Sequence, residues 1–107
     1  MSAIQHIGSD ELAAMVVRGR VQLLDVRTDV EVARGMIEGA RHVPLHLLPQ
    51  RIGELDPGAV TVVYCQSGVR SIQACAYLAA HGFASSYNLK GGIVEWLRSG
   101  RTVTVPA

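Results

Sequence analysis

Apolar positions along the chain fall into short unbroken runs separated by stretches of helical spacing. Val21-Gln-Leu-Leu-Asp-Val26 and Val60-Thr-Val-Val-Tyr64 are near-continuous apolar runs, the pattern of strands covered on both faces. Ala3 to Ile7 alternates and predicts a first strand. His42-Val43 predicts an extended piece kept out of the helical region by Pro44, and Ser85 to Asn88 a short late strand. Between them lie helical patterns. Ser9-Asp10-Glu11 predicts a helix start, with Ser9 as N-cap and two acids at the positive end of the dipole. Leu12, Met15 and Val16 continue it and Gly19 stops it. Thr28 or Asp29 caps a helix through Val30, Val32 and Ala33 to Gly35, and Gly39 marks a turn. Leu45 to Leu55 is helical by pattern despite Pro49, closed by the turn Asp56-Pro57-Gly58. A helix from Ser71 to about Ala80 ends at His81-Gly82, with Gly82 as the C′ residue. Gly91-Gly92 forms a turn before a last helix from Ile93 to Arg98, ended by Gly100, and the tail Arg101 to Ala107 is β-prone.

Strands alternating with helices of this length predict an α/β fold: a small parallel sheet with helices on both faces. Ligands of such sheets bind outside the carboxyl ends of the strands. Two polar segments fall at such ends, Asp25-Val26-Arg27 and Cys65-Gln-Ser-Gly68.

The chain has 107 residues, 49% hydrophobic and 18% charged, which predicts one globular domain over 1–107 and excludes disorder. A formal charge of +1 with scattered basic residues, all Arg but Lys90, argues against a nucleic-acid partner. No run reaches the roughly 18–20 apolar residues of a membrane span, and Met-Ser-Ala-Ile-Gln-His lacks the features of a signal peptide. A cytoplasmic protein in which Cys65 and Cys75 are free thiols is expected. His42 and His46 have tolerable ligand spacing, but Pro44 breaks the helical face and no further ligand completes a metal site.

The chemistry concentrates on Cys65. Cys75 lies mid-helix among Ile72, Ala76, Leu78 and Ala79 and reads as a small core hydrophobe. Cys65 is followed by Gln66, Ser67 and Gly68, which neither continue a strand nor pack a core. Gly68 permits positive φ, so successive amides can turn inward into an anion-binding concavity. A helix N-terminus behind it also favours the thiolate. Cys65 is therefore the expected nucleophile.

Cys65-Gln-Ser-Gly-Val-Arg-Ser71 resembles the active-site loop of single-domain rhodanese-like sulfurtransferases. Three further blocks match that family in order: Leu24-Asp25-Val26-Arg27; Gly35-Met-Ile-Glu-Gly-Ala40 with Val43-Pro44-Leu45; and Leu89-Lys90-Gly91-Gly92-Ile93 with Trp96. Met36 stands where the family most often has His, and Arg101-Thr102 replaces a usual Leu-Pro; neither falls in the loop. The resemblance implies a rhodanese-like domain in which the Cys65 thiolate takes the outer sulfur of thiosulfate or another donor, and hands it to cyanide or a thiol. It implies no cofactor.

In this reading the amides of Gln66, Ser67, Gly68, Val69, Arg70 and Ser71 hold the persulfide anion. Gln66 and Ser67 also offer side-chain donors at the entrance. Arg70 orients an oxyanionic donor or lowers the thiol pKa, unless it points to solvent or pairs with an acid. Ser71 caps the helix and is placed to donate to the sulfur. Arg27 either lines the pocket mouth or forms an ordinary ion pair, and Asp25 is a buried support bonded to loop amides or an Arg.

Three alternatives remain from sequence. A phosphatase or arsenate reductase loop carries five residues between its Cys and Arg, whereas four separate Cys65 from Arg70, a tighter cup suited to one sulfur atom. An inactive binding module would usually lack the cysteine. A persulfide carrier serving a protein partner stays compatible with every residue.

Overall fold

The computed structural model describes residues 4–106. At its centre is β4 (Thr61–Tyr64), every residue of which is buried. It is flanked by β2 (Gln22–Asp25) and β5 (Ser86–Leu89), with β3 (Arg41–His42) and β1 (Gln5–Ile7) at the two edges. All pairings are parallel and the order is β1-β5-β4-β2-β3. Ala3, expected in the first strand, lies outside the described residues.

Strand alternation divides the core into two layers. Leu24, Val63 and Cys65 point to the side covered by α4 (Val69–Ala80) through Ala74, Cys75 and Leu78, and by Leu48 and Leu55. Leu23, Val62 and Tyr64 point to the other side, against Leu12 of α1 (Ser9–Arg18) and Ile93 and Trp96 of α5 (Gly92–Arg98). Helices therefore cover both faces, which is why these strands read as unbroken apolar runs. Among the described residues no helix is long and apolar enough to cross a membrane.

Some boundaries differ from the sequence expectations. Gly8, not Ser9, caps α1, and the Glu11 carboxylate accepts the Gly8 N–H at 3.2 Å. Thr28 caps the short α2 (Asp29–Ala33) and exchanges hydrogen bonds with Glu31. The predicted helix 45–55 breaks into 3₁₀ turns at Leu45–Leu47 and Ile52–Glu54 around α3 (Leu48–Arg51). Pro49 lacks an N–H and fits only in a helix's first turn. Among the described residues the tail forms no strand; Met36 and Thr104 make an isolated antiparallel bridge, with both amide bonds at 2.8 Å.

Candidate active site

Cys65 follows β4 directly, and the loop behind it turns at Gly68, whose φ of 109° is costly for any side chain. The helix then starts at Val69, two residues before the expected position, with Gly68 as N-cap and no capping side chain. The physical reason is the sulfur itself. Gly68 N–H points at Cys65 Sγ at 3.1 Å, and the amides of Ser67 and Ser71 also donate to it. Cys65 thus supplies the acceptor that a serine or aspartate cap would give, and satisfies orphan amides of the first turn. Ser71 is not the cap. Its hydroxyl is fully buried, 3.3 Å from Cys65 Sγ.

Burial alone would raise the Cys65 pKa, but the hydrogen bonds with the Ser71 side chain and from the amides of Ser71, Gly68 and Ser67 outweigh it. The thiol ionises below its ordinary range. Cys75 has no such donors, and burial pushes it up to about 12. Both thiols are free, but only Cys65 has donors around it that favour the thiolate.

The loop is held from outside by α5. Ile93 N–H donates to Cys65 O at 3.0 Å and Val94 N–H to Gln66 O at 3.2 Å. With those carbonyls drawn outward, the intervening amides are left to face the sulfur. This contact requires Gly92. A Cβ there would lie 2.6 Å from Cys65 O and from Gln66 C, and closer still to Gln66 O.

Arg70 turns to Glu31 of α2, Nη1 to Oε1 at 2.6 Å and Nη2 to Oε2 at 2.8 Å. The Arg70 hydrogen bonds hold the Glu31 carboxyl down to about 2, against a smaller opposing effect of burial. Asp25 and Arg27 form a buried fork: Arg27 Nε contacts both carboxylate oxygens at 3.1 Å and Nη2 contacts Oδ2 at 2.7 Å. Arg27 Nη2 also reaches Gly35 O, and its amide donates to Asp25 Oδ1. Arg27 is 3% exposed, yet it borders a cavity of about 250 Å³ with Glu31, Arg34, Gln66 and Leu97. Gln66, Ser67 and Val69 are exposed at the loop surface.

Four contributors escaped the sequence reading. Glu31 was legible as the second half of a Thr-x-x-Glu capping box. Asn88 is a polar residue in a buried strand, which always needs a partner. Tyr64 ends an apolar run, and its hydroxyl accepts the Ile37 amide at 2.9 Å. His6, on an edge strand, gave no signal.

The rhodanese-like domain model matches residues 9–99. The chain belongs to the rhodanese-like family. It is 46% identical over 104 residues to a sulfurtransferase of Allochromatium vinosum, covering 96% of this chain and 97% of that one. It is 33% identical to the thiosulfate sulfurtransferase GlpE of Shewanella oneidensis over 90% of this chain and 95% of the relative. Among solved structures, a rhodanese-like domain protein from Staphylococcus aureus superposes with a TM-score of 0.87 at 30% identity, covering 97% and 100% of the two chains.

Proposed function

We propose that this rhodanese-like domain is a sulfurtransferase that carries sulfane sulfur as a Cys65 persulfide. The observation that carries the reading is the ring of donors on Cys65 Sγ, which favours the anion inside a buried loop. The thiolate attacks the outer sulfur of thiosulfate. A new S–S bond forms, the S–S bond of thiosulfate breaks, and sulfite departs with its electron pair. The negative charge of Cys65 moves to the outer sulfur, where the amides of residues 66–71 and a helix N-terminus hold it. A thiol acceptor, as thiolate, or cyanide then attacks that sulfur and regenerates the Cys65 thiolate.

Arg70 lies in the first turn of the helix behind the loop, and Arg27 and Arg34 border the adjoining cavity. Arg70 is placed to meet an oxyanionic donor at the cost of its pairing with Glu31. The four-residue spacing from Cys65 to Arg70, one shorter than a phosphatase loop, speaks against phosphate chemistry. Two free thiols suit a reducing compartment and support a cytoplasmic setting. Exposed Val69 and Ile72, 67% and 38% accessible on the first turn of α4, favour a second reading in which a protein thiol is the donor or acceptor.

The test is thiocyanate formation from thiosulfate and cyanide. Turnover that disappears in Cys65→Ser is expected. Turnover that survives that substitution removes Cys65 from the mechanism. Hydrolysis of an aryl phosphate without sulfur transfer overturns the assignment.

A further inference from the structure

A buried hydrogen-bonded chain leads from Cys65 to the edge of the sheet. Ser71 Oγ lies 3.3 Å from Cys65 Sγ and 2.5 Å from Asn88 Oδ1, and Asn88 Nδ2 lies 3.1 Å from His6 Nδ1. The links come from the end of β4, from α4, from β5 and from β1. Ser71 is 0% exposed and Asn88 3%, so water does not offer these groups alternative partners. His6 sits on the exposed edge strand, where register places it opposite Asn88.

Proton counting gives this chain a direction. A serine hydroxyl has one proton. When Ser71 gives it to Asn88 Oδ1, only a protonated sulfur can bond to Ser71, and Asn88 Nδ2–H needs a lone pair on His6 Nδ1. That is the polarity of the thiol. A thiolate requires the opposite. Ser71 then donates to the sulfur, Asn88 turns its amide so that Nδ2 donates to Ser71 Oγ, and Asn88 Oδ1 needs a proton on His6 Nδ1. The amide exchange costs little in shape, because its oxygen and nitrogen ends are nearly isosteric.

We propose that His6 is a positioning residue for Cys65: an N–H on its Nδ1, relayed through Asn88 and Ser71, favours the thiolate, and the position of that proton is coupled to the state of the sulfur. The catalytic consequence rests on Cys65 being the nucleophile; the coupling does not. By linkage the thiolate draws a proton to His6 Nδ1 as strongly as that proton favours the thiolate. Loading the sulfur removes the charge from Sγ and releases His6, so the exposed edge senses whether Cys65 is free.

Other charged groups act on both ends of the chain. Arg70 of α4, paired with Glu31 of α2, interacts with the Cys65 charge, and the Asp25–Arg27 pair lies at the end of the neighbouring β2. Lys90, just beyond β5, shares with His6 a cavity of about 340 Å³ lined also by Ser67, Gly68 and Asn88. Glu95 of α5 and Asp10 and Glu11 of α1 line the next cavity along. None of them stands in the chain, and all stay constant when His6 alone is changed.

The experiment follows the Cys65 ¹³Cβ resonance through a pH titration of wild type, His6→Phe and His6→Asn. His6→Phe is expected to move the Cys65 midpoint upward and to slow thiolate-dependent sulfur loading about threefold below it, the loss of one cooperative link. His6→Asn, whose side-chain N–H stands in for Nδ1–H, is expected to restore the wild-type midpoint. In wild type the His6 ¹⁵N signals are expected to show Nδ1–H once Cys65 ionises, and to lose that step in Cys65→Ser. Superposable Cys65 titrations in all three proteins overturn the coupling. Equal upward shifts in both variants also overturn it, since they report a disturbed strand rather than a lost donor. The Cys65 and His6 titrations need no sulfur transfer, so failure of the enzymatic reading shows separately, as absence of a persulfide.

Discussion

Gly92→Ala isolates the contact that aims the Cys65 loop. The new methyl would sit 2.6 Å from Cys65 O and Gln66 C, about 0.8 Å inside ordinary contact, and every obstructing atom is backbone in a close-packed interior. The loop and the start of α5 must separate by nearly that amount. Such a movement breaks Ile93 N–H to Cys65 O and Val94 N–H to Gln66 O, each worth about 1 kcal/mol. A left-handed alanine at φ 60° adds about 1 kcal/mol. The sum, about 3 kcal/mol, is a large part of a domain's 5–15 and lowers the melting temperature by roughly 15 °C. Because the displacement falls on the residues that aim amides at the sulfur, sulfur loading should slow about 100-fold. Gly39→Ala is the control, since φ is 87° there but nothing lies within 4 Å of the new Cβ. It should cost about 1 kcal/mol and leave loading intact. Stopped-flow measurement of sulfur loading, with thermal melts of both variants, decides the matter. Loading within twofold of wild type in folded Gly92→Ala would refute the claim that α5 shapes the loop.

Three further outcomes are expected. Cys75→Ala should load sulfur within about twofold of wild type by intact mass, since burial holds that thiol near 12 and leaves it almost wholly protonated at neutral pH. Tyr64→Phe strips the Ile37 amide of its acceptor in the core, and urea melts should show a loss of about 1–3 kcal/mol. The Glu31 carboxyl is depressed from 4.5 to about 2 by Arg70, so its contribution to stability is complete above pH 4.5 and fades as pH falls towards 2. Glu31→Gln should therefore be less stable than wild type at neutral pH, and the two urea midpoints should converge in acid.

How much of this was legible in the sequence follows from which forces act locally. Strand runs, the glycines Gly19 and Gly82 that end α1 and α4, and the Cys65 loop are written in consecutive residues, so the alternation of layers and the turn at the end of β4 were readable. The start of α4 was misplaced by two residues because its capping acceptor is a cysteine sulfur, which propensity rules do not count as a cap. The segment after Pro44 follows helical periodicity, yet Pro49 forbids one continuous helix. Partners distant in sequence were invisible: Glu31 to Arg70 and Asn88 to Ser71 meet only once the parallel sheet has set β2, β4 and β5 side by side. Gly92 was readable as part of a turn, while its close approach to the Cys65 carbonyl belongs to tertiary structure alone.

The central claim is that Cys65, held as a thiolate by its own helix, takes up one sulfur atom. Intact mass after incubation with thiosulfate, repeated with a small persulfide as donor, tests it most directly. The account predicts a gain of one sulfur in wild type and in Cys75→Ala, reversed by a thiol and absent in Cys65→Ser. A wild-type mass unchanged by either donor, or a gain that persists in Cys65→Ser, would contradict it.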